Sequence, residues 1–112
     1  MLLVPRRGWG IIVSMPRFVI ERTYTVEESE VPVVATRSKR LVYEEFPQIT
    51  WEHSHVVIDG DGTPKSFCIY EAPSEEIVRS HAGALGDHTI TAIYEIAGDV
   101  TPDDFPLETE AV

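Results

Sequence analysis

From Phe18 to Ala97 the spacing of apolar positions changes between a period of two and a period of three to four. FVIERTY, residues 18–24, is rich in β-branched and aromatic side chains and predicts a first strand. In TVEESEVPVVATRSKRLVYEEF the glutamates come early and Arg37, Lys39 and Arg40 late, the order that a helix dipole favours. Proline is tolerated only in a helix's first turn, so Pro32 sets the predicted helix at 31–45, with Val34, Ser38, Leu41 and Val42 on one stripe. Residues 48–59 predict a second strand and 66–72 a third. The run Asp59-Gly60-Asp61-Gly62-Thr63-Pro64 joins them as a hairpin turn. Ser74 can cap a second helix whose first turn carries Glu75 and Glu76. Ile77, His81, Ala84 and Leu85 share a face of it, and Gly86 is its stop. TITAIYEIA, residues 89–97, predicts the fourth strand.

The order β-α-β-β-α-β is that of a ferredoxin-like α+β fold: a four-stranded antiparallel sheet with two helices on one face. The strands do not alternate cleanly. Ile90, Ala92, Tyr94 and Ile96 form one face of the fourth strand, yet Ile93 sits on the other; Phe67 and Ile69 oppose Cys68 and Tyr70 in the third. A sheet with one wet face alternates more strictly, so the second face is expected to pack on another copy. The result would be a homodimer closed as a dimeric α+β barrel. The domain is placed at 15–98. Residues 1–14 match no period and read as a flexible extension, with Met15 a cleaner start. Residues 99–112 read as an acidic, mobile tail in which only Phe105 is expected to find a contact.

A chain of 112 residues is one domain, long enough to bury a core without metal or disulfide staples. Its net charge of −10 repels phosphate backbones and anionic membranes, which argues against nucleic acid or membrane partners. One cysteine, Cys68, excludes an intramolecular disulfide and fits a cytoplasmic setting. The N-terminal apolar pieces are split by Arg6, Arg7 and two glycines, which is not a signal peptide, and no run is long enough to cross a bilayer.

The candidate chemistry centres on WEHSHVV. His53 and His55 lie two residues apart, roughly 7 Å along a strand, with side chains on one face and able to reach one ion. Glu71 and Cys68 lie on the neighbouring strand and point to opposite faces, so both cannot join His53 in a regular sheet. His81 lies on the apolar stripe of the second helix, where it is either a core residue bonded to a backbone carbonyl or a fifth candidate ligand. His88 follows Gly86-Asp87 and is expected to be solvated. Imidazole and carboxylate donors suit nickel, zinc, copper or iron. Glu21, Arg22 and Tyr70 read as structural ion-pairing groups or as polar pocket lining. Ser54, between two histidines in sequence, faces away from both and makes no dyad. There is no phosphate-cradling glycine loop.

FCIYEAPSEEIVRSHAGALG, residues 67–86, resembles the signature of a small family of ferredoxin-like domains: an aromatic residue and Cys, a small-Pro step, then a helix carrying His and ending in Gly. Met15-Pro16-Arg17-Phe18, Trp51 and Ser54 extend the likeness over residues 15–97. The resemblance implies a homodimer and, from some of its members, nickel binding. Cys68 and His81 match the family pattern, as does the strand exit Glu71-Ala72-Pro73. The nickel-binding members carry a histidine in the first strand and another in the first helix. This chain has neither, so either His53 and His55 replace them or this branch has lost the metal. Three readings follow: a transition-metal site, with nickel named by resemblance, built from His53, His55, His81, Glu71 and Cys68; a barrel enzyme for a small organic molecule with Glu21, His53 or His81 as general base; and a protein–protein module.

Overall fold

A computed structural model describes residues 15–107. The expected extension at 1–14 and the last five residues lie outside the described residues. The elements are β1 (Arg17–Tyr24), a 3₁₀ turn (Glu28–Glu30) running into α1 (Val31–Glu44), β2 (Thr50–Ile58), β3 (Pro64–Glu71), α2 (Glu75–Leu85), β4 (His88–Glu95) and a last 3₁₀ turn (Pro102–Asp104). The strands form one antiparallel sheet in the order β2-β3-β1-β4, with both helices on one face. This is the ferredoxin-like α+β fold.

Local chemistry sets the ends of the elements. Pro32 sits in the first turn of α1, where its missing N–H costs nothing. Ser74 Oγ accepts from the Ile77 N–H at 3.3 Å and starts α2. Gly86, at φ 72°, ends it in a conformation that side-chain-bearing residues avoid. In the β2–β3 hairpin, Asp59 Oδ1 accepts from the N–H groups of Asp61 and Thr63 at 2.8 and 3.0 Å.

The core forms beneath the helices. Phe18 and Ile20 of β1 lie opposite Tyr70 and Cys68 of β3, and Ile49, Ala72 and Val78 join them, all buried. In α2 the buried face is Val78, His81, Ala82 and Leu85, while Ala84, expected on that stripe, is exposed.

Both edge strands break register, and this corrects the facing expected from simple alternation. In β4, Ile90 pairs with Arg22 but Ala92 pairs with Glu21, so Thr91 is a bulge. Ile90 therefore joins Ile93 against the core rather than sharing the open face with Ala92 and Tyr94. In β2, Trp51 pairs with Tyr70 and His53 with Ile69, which makes Glu52 a second bulge. The chain after β4 is tied back by Ile96 N–H donating to the Arg17 carbonyl at 2.7 Å and by an Asp99–Arg17 ion pair at 2.8 Å. Phe105, the tail residue expected to find a contact, is 61% exposed.

Ile20 is fully buried at the middle of the central strand. Ile20→Ala should lower unfolding free energy by about 2–5 kcal/mol in a denaturant titration. Tyr43→Ala, at an exposed helical position, should shift it by no more than about 0.5 kcal/mol.

Candidate functional site

The bulge at Glu52 decides where the paired histidines go. In unbroken alternation Trp51, His53 and His55 would share a face. Because Glu52 is extra, Trp51 and Ser54 turn toward the helices, where Trp51 Nε1 donates to Ser54 Oγ at 2.8 Å. His53 and His55, opposite Ile69 and Phe67, turn to the open face. Both are exposed, and their rings meet edge to face with centroids 5.3 Å apart.

Carboxylates around the pair are partly committed. Glu52 accepts from Arg17 Nε at 2.8 Å and Nη2 at 3.0 Å, and these bonds lower its pKa. Glu71 lies on the same face, two positions beyond Ile69 and opposite Thr50. Among the described residues, no cluster of three or more His, Cys, Asp and Glu side chains within this chain could hold a metal ion.

Cys68 and His81 lie on the other side of the sheet. Cys68 is buried opposite Ile20, with Sγ 3.3 Å from Ser66 Oγ. His81 is fully buried between the rings of Phe46 and Tyr70, at 5.6 and 5.7 Å, and its Nε2 lies 3.1 Å from Ser38 Oγ. Ser38 meets it with both its side chain and its backbone, and the backbone bond is of the kind expected of a core histidine. Burial, reinforced by the Arg22 charge, pushes its pKa down to about 4. The three residues weighed as general bases do not converge: Glu21 and His53 are on the open face, Glu21 3.3 Å from Lys65 Nζ, and His81 is beneath the sheet.

Arg22 stands out in this buried layer. It is 1% exposed, following Phe18 and Ile20 on the core side of β1. Read from sequence as an ion-pairing or lining residue, it meets no carboxylate among the described residues. Its Nη1 donates to His88 Nε2 at 2.7 Å, its guanidinium carbon sits 5.3 Å from the centre of the Tyr70 ring, and Nη2 has no hydrogen-bond partner among the described residues. His88, expected to be a solvated turn residue, is thus the first residue of β4, half-buried, with Nδ1 2.8 Å from the Gly86 carbonyl. The signal for Arg22 was its parity with Phe18 and Ile20. That parity was visible in FVIERTY, though the missing counter-charge was not. A cavity of about 50 Å³ lies between α1 and the sheet, lined by Arg22, Ser66 and Cys68 and by apolar groups of α1 and β2.

A four-stranded sheet in this order, with two helices on one face and an imidazole pair on the other, makes the chain a ferredoxin-like domain. The chain belongs to the family described as nickel responsive protein SCO4226-like, whose sequence profile matches residues 18–96, from the second residue of β1 to just past the end of β4. Comparison with curated proteins and with solved structures found no match.

The depressed His81 pKa has a consequence for stability. Above the ordinary histidine pKa of 6.5, neither the folded nor the unfolded chain protonates this ring. As pH falls from 6.5 toward 4, only the unfolded chain takes the proton, so stability is lost across that window. The loss at pH 4 should approach roughly 3 kcal/mol. His81→Gln, which does not titrate, should flatten the pH dependence between 6.5 and 4 in denaturant titrations, leaving a smaller slope from His88, whose pKa is also lowered by burial.

Proposed function

We propose that this domain binds a transition-metal ion, nickel by its family, through His53 and His55 on the open face of its sheet, and that it works as a homodimer in the cytoplasm. The observation that carries the reading is the imidazole pair: two exposed rings, 5.3 Å apart, turned to one side by the Glu52 bulge. The donor type fits, because imidazole suits nickel as well as zinc and copper. The family description names nickel. One chain supplies two such donors at this point, so further positions on an ion would be filled by water or by a second copy.

A second copy has a surface to meet. Val19, Phe67, Ile69, Ala92 and Tyr94 all point to the open face beside the histidines, and Tyr94 is 66% exposed. Apolar area of this kind is favourable to bury, and a symmetric pair of sheets would cover it. The single cysteine is buried and free, in keeping with a reducing compartment. The net charge of −10 favours approach of a cation to the surface. Ligation requires neutral imidazole, so affinity should weaken as pH is lowered.

Calorimetric titration of nickel chloride into tag-free protein tests the site. His53→Ala and His55→Ala should each weaken binding about tenfold or more. His81→Gln, beneath the sheet, should leave it unchanged. Light scattering should report about twice the chain mass of 12.6 kDa. Nickel binding no tighter than about millimolar, or binding indifferent to both alanine substitutions, removes the metal reading.

A further inference from the structure

We infer that the cavity between α1 and the sheet is a binding site for a small aliphatic monocarboxylate, with the acid group held by Arg22 and the alkyl part lying against Val31, Val34 and Val56. The inference stands apart from the metal reading, since the two sites lie on opposite sides of the sheet.

Three observations converge on it. The first is an unanswered charge. Arg22 is 1% exposed and has no carboxylate partner among the described residues. The same strand shows what a structural arginine looks like here: Arg17, at the sheet's other face, holds both Glu52 and Asp99. A buried guanidinium without a counter-ion carries a large desolvation cost, which an anion would offset. The phenols beside it do not supply one. Burial raises the pKa of both Tyr24 and Tyr70, so both are neutral at physiological pH.

The second observation is an unused donor. One arm of the guanidinium is occupied by His88, and Nη2 has no hydrogen-bond partner among the described residues. Guanidinium donors match carboxylate oxygens in geometry and charge. The third is the space beside it. The cavity measures about 50 Å³ and is partly open. It has room for a carboxylate head, with a short chain directed toward the mouth. Apart from Arg22 and a few hydroxyls its wall is apolar, formed by Val31, Val34, Ala35, Trp51 and Val56.

That wall selects the ligand class. Sulfate or phosphate, doubly charged and strongly hydrated, would need several charged donors, and the wall offers one guanidinium, with hydroxyls and valine side chains beside it. A neutral amide would leave Arg22 uncompensated. A monoanion with a hydrocarbon part satisfies both halves of the site, the usual combination of an apolar pocket with one polar anchor. The acidic surface of the protein slows the approach of any anion, so the affinity must come from contacts inside the cavity.

The test is an NMR titration of the full chain without a tag, following the Trp51 indole and Arg22 guanidinium N–H signals. Sodium butyrate is compared with butyramide and with sodium chloride at matched concentration. Butyrate should shift both signals saturably, and butyramide should bind at least about tenfold more weakly, because it lacks the charge. Ala35→Leu fills the cavity from α1 while retaining Arg22 and should weaken butyrate binding by at least about tenfold, with the circular-dichroism spectrum unchanged. Arg22→Met should abolish binding, and if that variant does not fold, Ala35→Leu still decides. The inference is overturned if butyramide matches butyrate, if chloride reproduces the shifts, if no acid from acetate to hexanoate saturates, or if Ala35→Leu binds as the unaltered protein does.

Discussion

The pairing of β1 with β3 is the constraint on which the other features rest. It is unbroken from Arg17–Glu71 to Thr23–Lys65, so every second residue of both central strands is committed to one side. Phe18, Ile20 and Arg22 face the helices with Tyr70, Cys68 and Ser66, and all six are buried. The core side of the sheet is thereby defined by its middle. The edge strands must conform to it, and each does so by spending one extra residue. Thr91 lets Ile90 and Ile93 both reach the core, and Glu52 lets Trp51 and Ser54 do the same. Bulges are tolerated at edges because only one neighbouring ladder has to break.

The consequence for chemistry is a division by face. Everything after Glu52 in β2 is shifted by one step, so the imidazoles leave the apolar layer for the open face. There they are exposed to solvent. Cys68 and His81 stay beneath the sheet, where a small thiol and a neutral ring fit among Ser38, Phe46 and Tyr70. His81 is held neutral by the same burial that makes it useful to the core. Pushed down to about 4, its pKa makes it a weak base at neutral pH.

Arg17 and Arg22 show how one strand treats the same side chain on its two faces. Arg17 makes two ion pairs near solvent, where each contributes little to stability. Arg22 lies among aromatic rings, hydroxyls and the Cys68 thiol, with a neutral imidazole accepting from it and no carboxylate partner among the described residues. An apolar side chain of similar length at that position would avoid the desolvation cost.

Much of this was legible in the chain itself. The four strands and two helices follow from periodicity, from Pro32 and Ser74 at helix starts, and from Gly86 and the Asp59–Pro64 turn at stops, because these are local preferences of backbone and side chain. The family likeness, read from residues 67–86, agrees with the profile that spans 18–96. Facing in the edge strands was not legible. Alternation counts residues one by one, and a bulge is created by what lies across the ladder, so Ile90, His53 and His55 could be placed only once β1 and β3 were in position. The same holds for His88 and Arg22, which are distant in sequence and meet only because β4 closes against β1. Local sequence determined which elements form. Long-range pairing decided that the histidines face outward and that a guanidinium is buried with no carboxylate among the described residues to meet it, because both depend on partners that no local window of sequence contains.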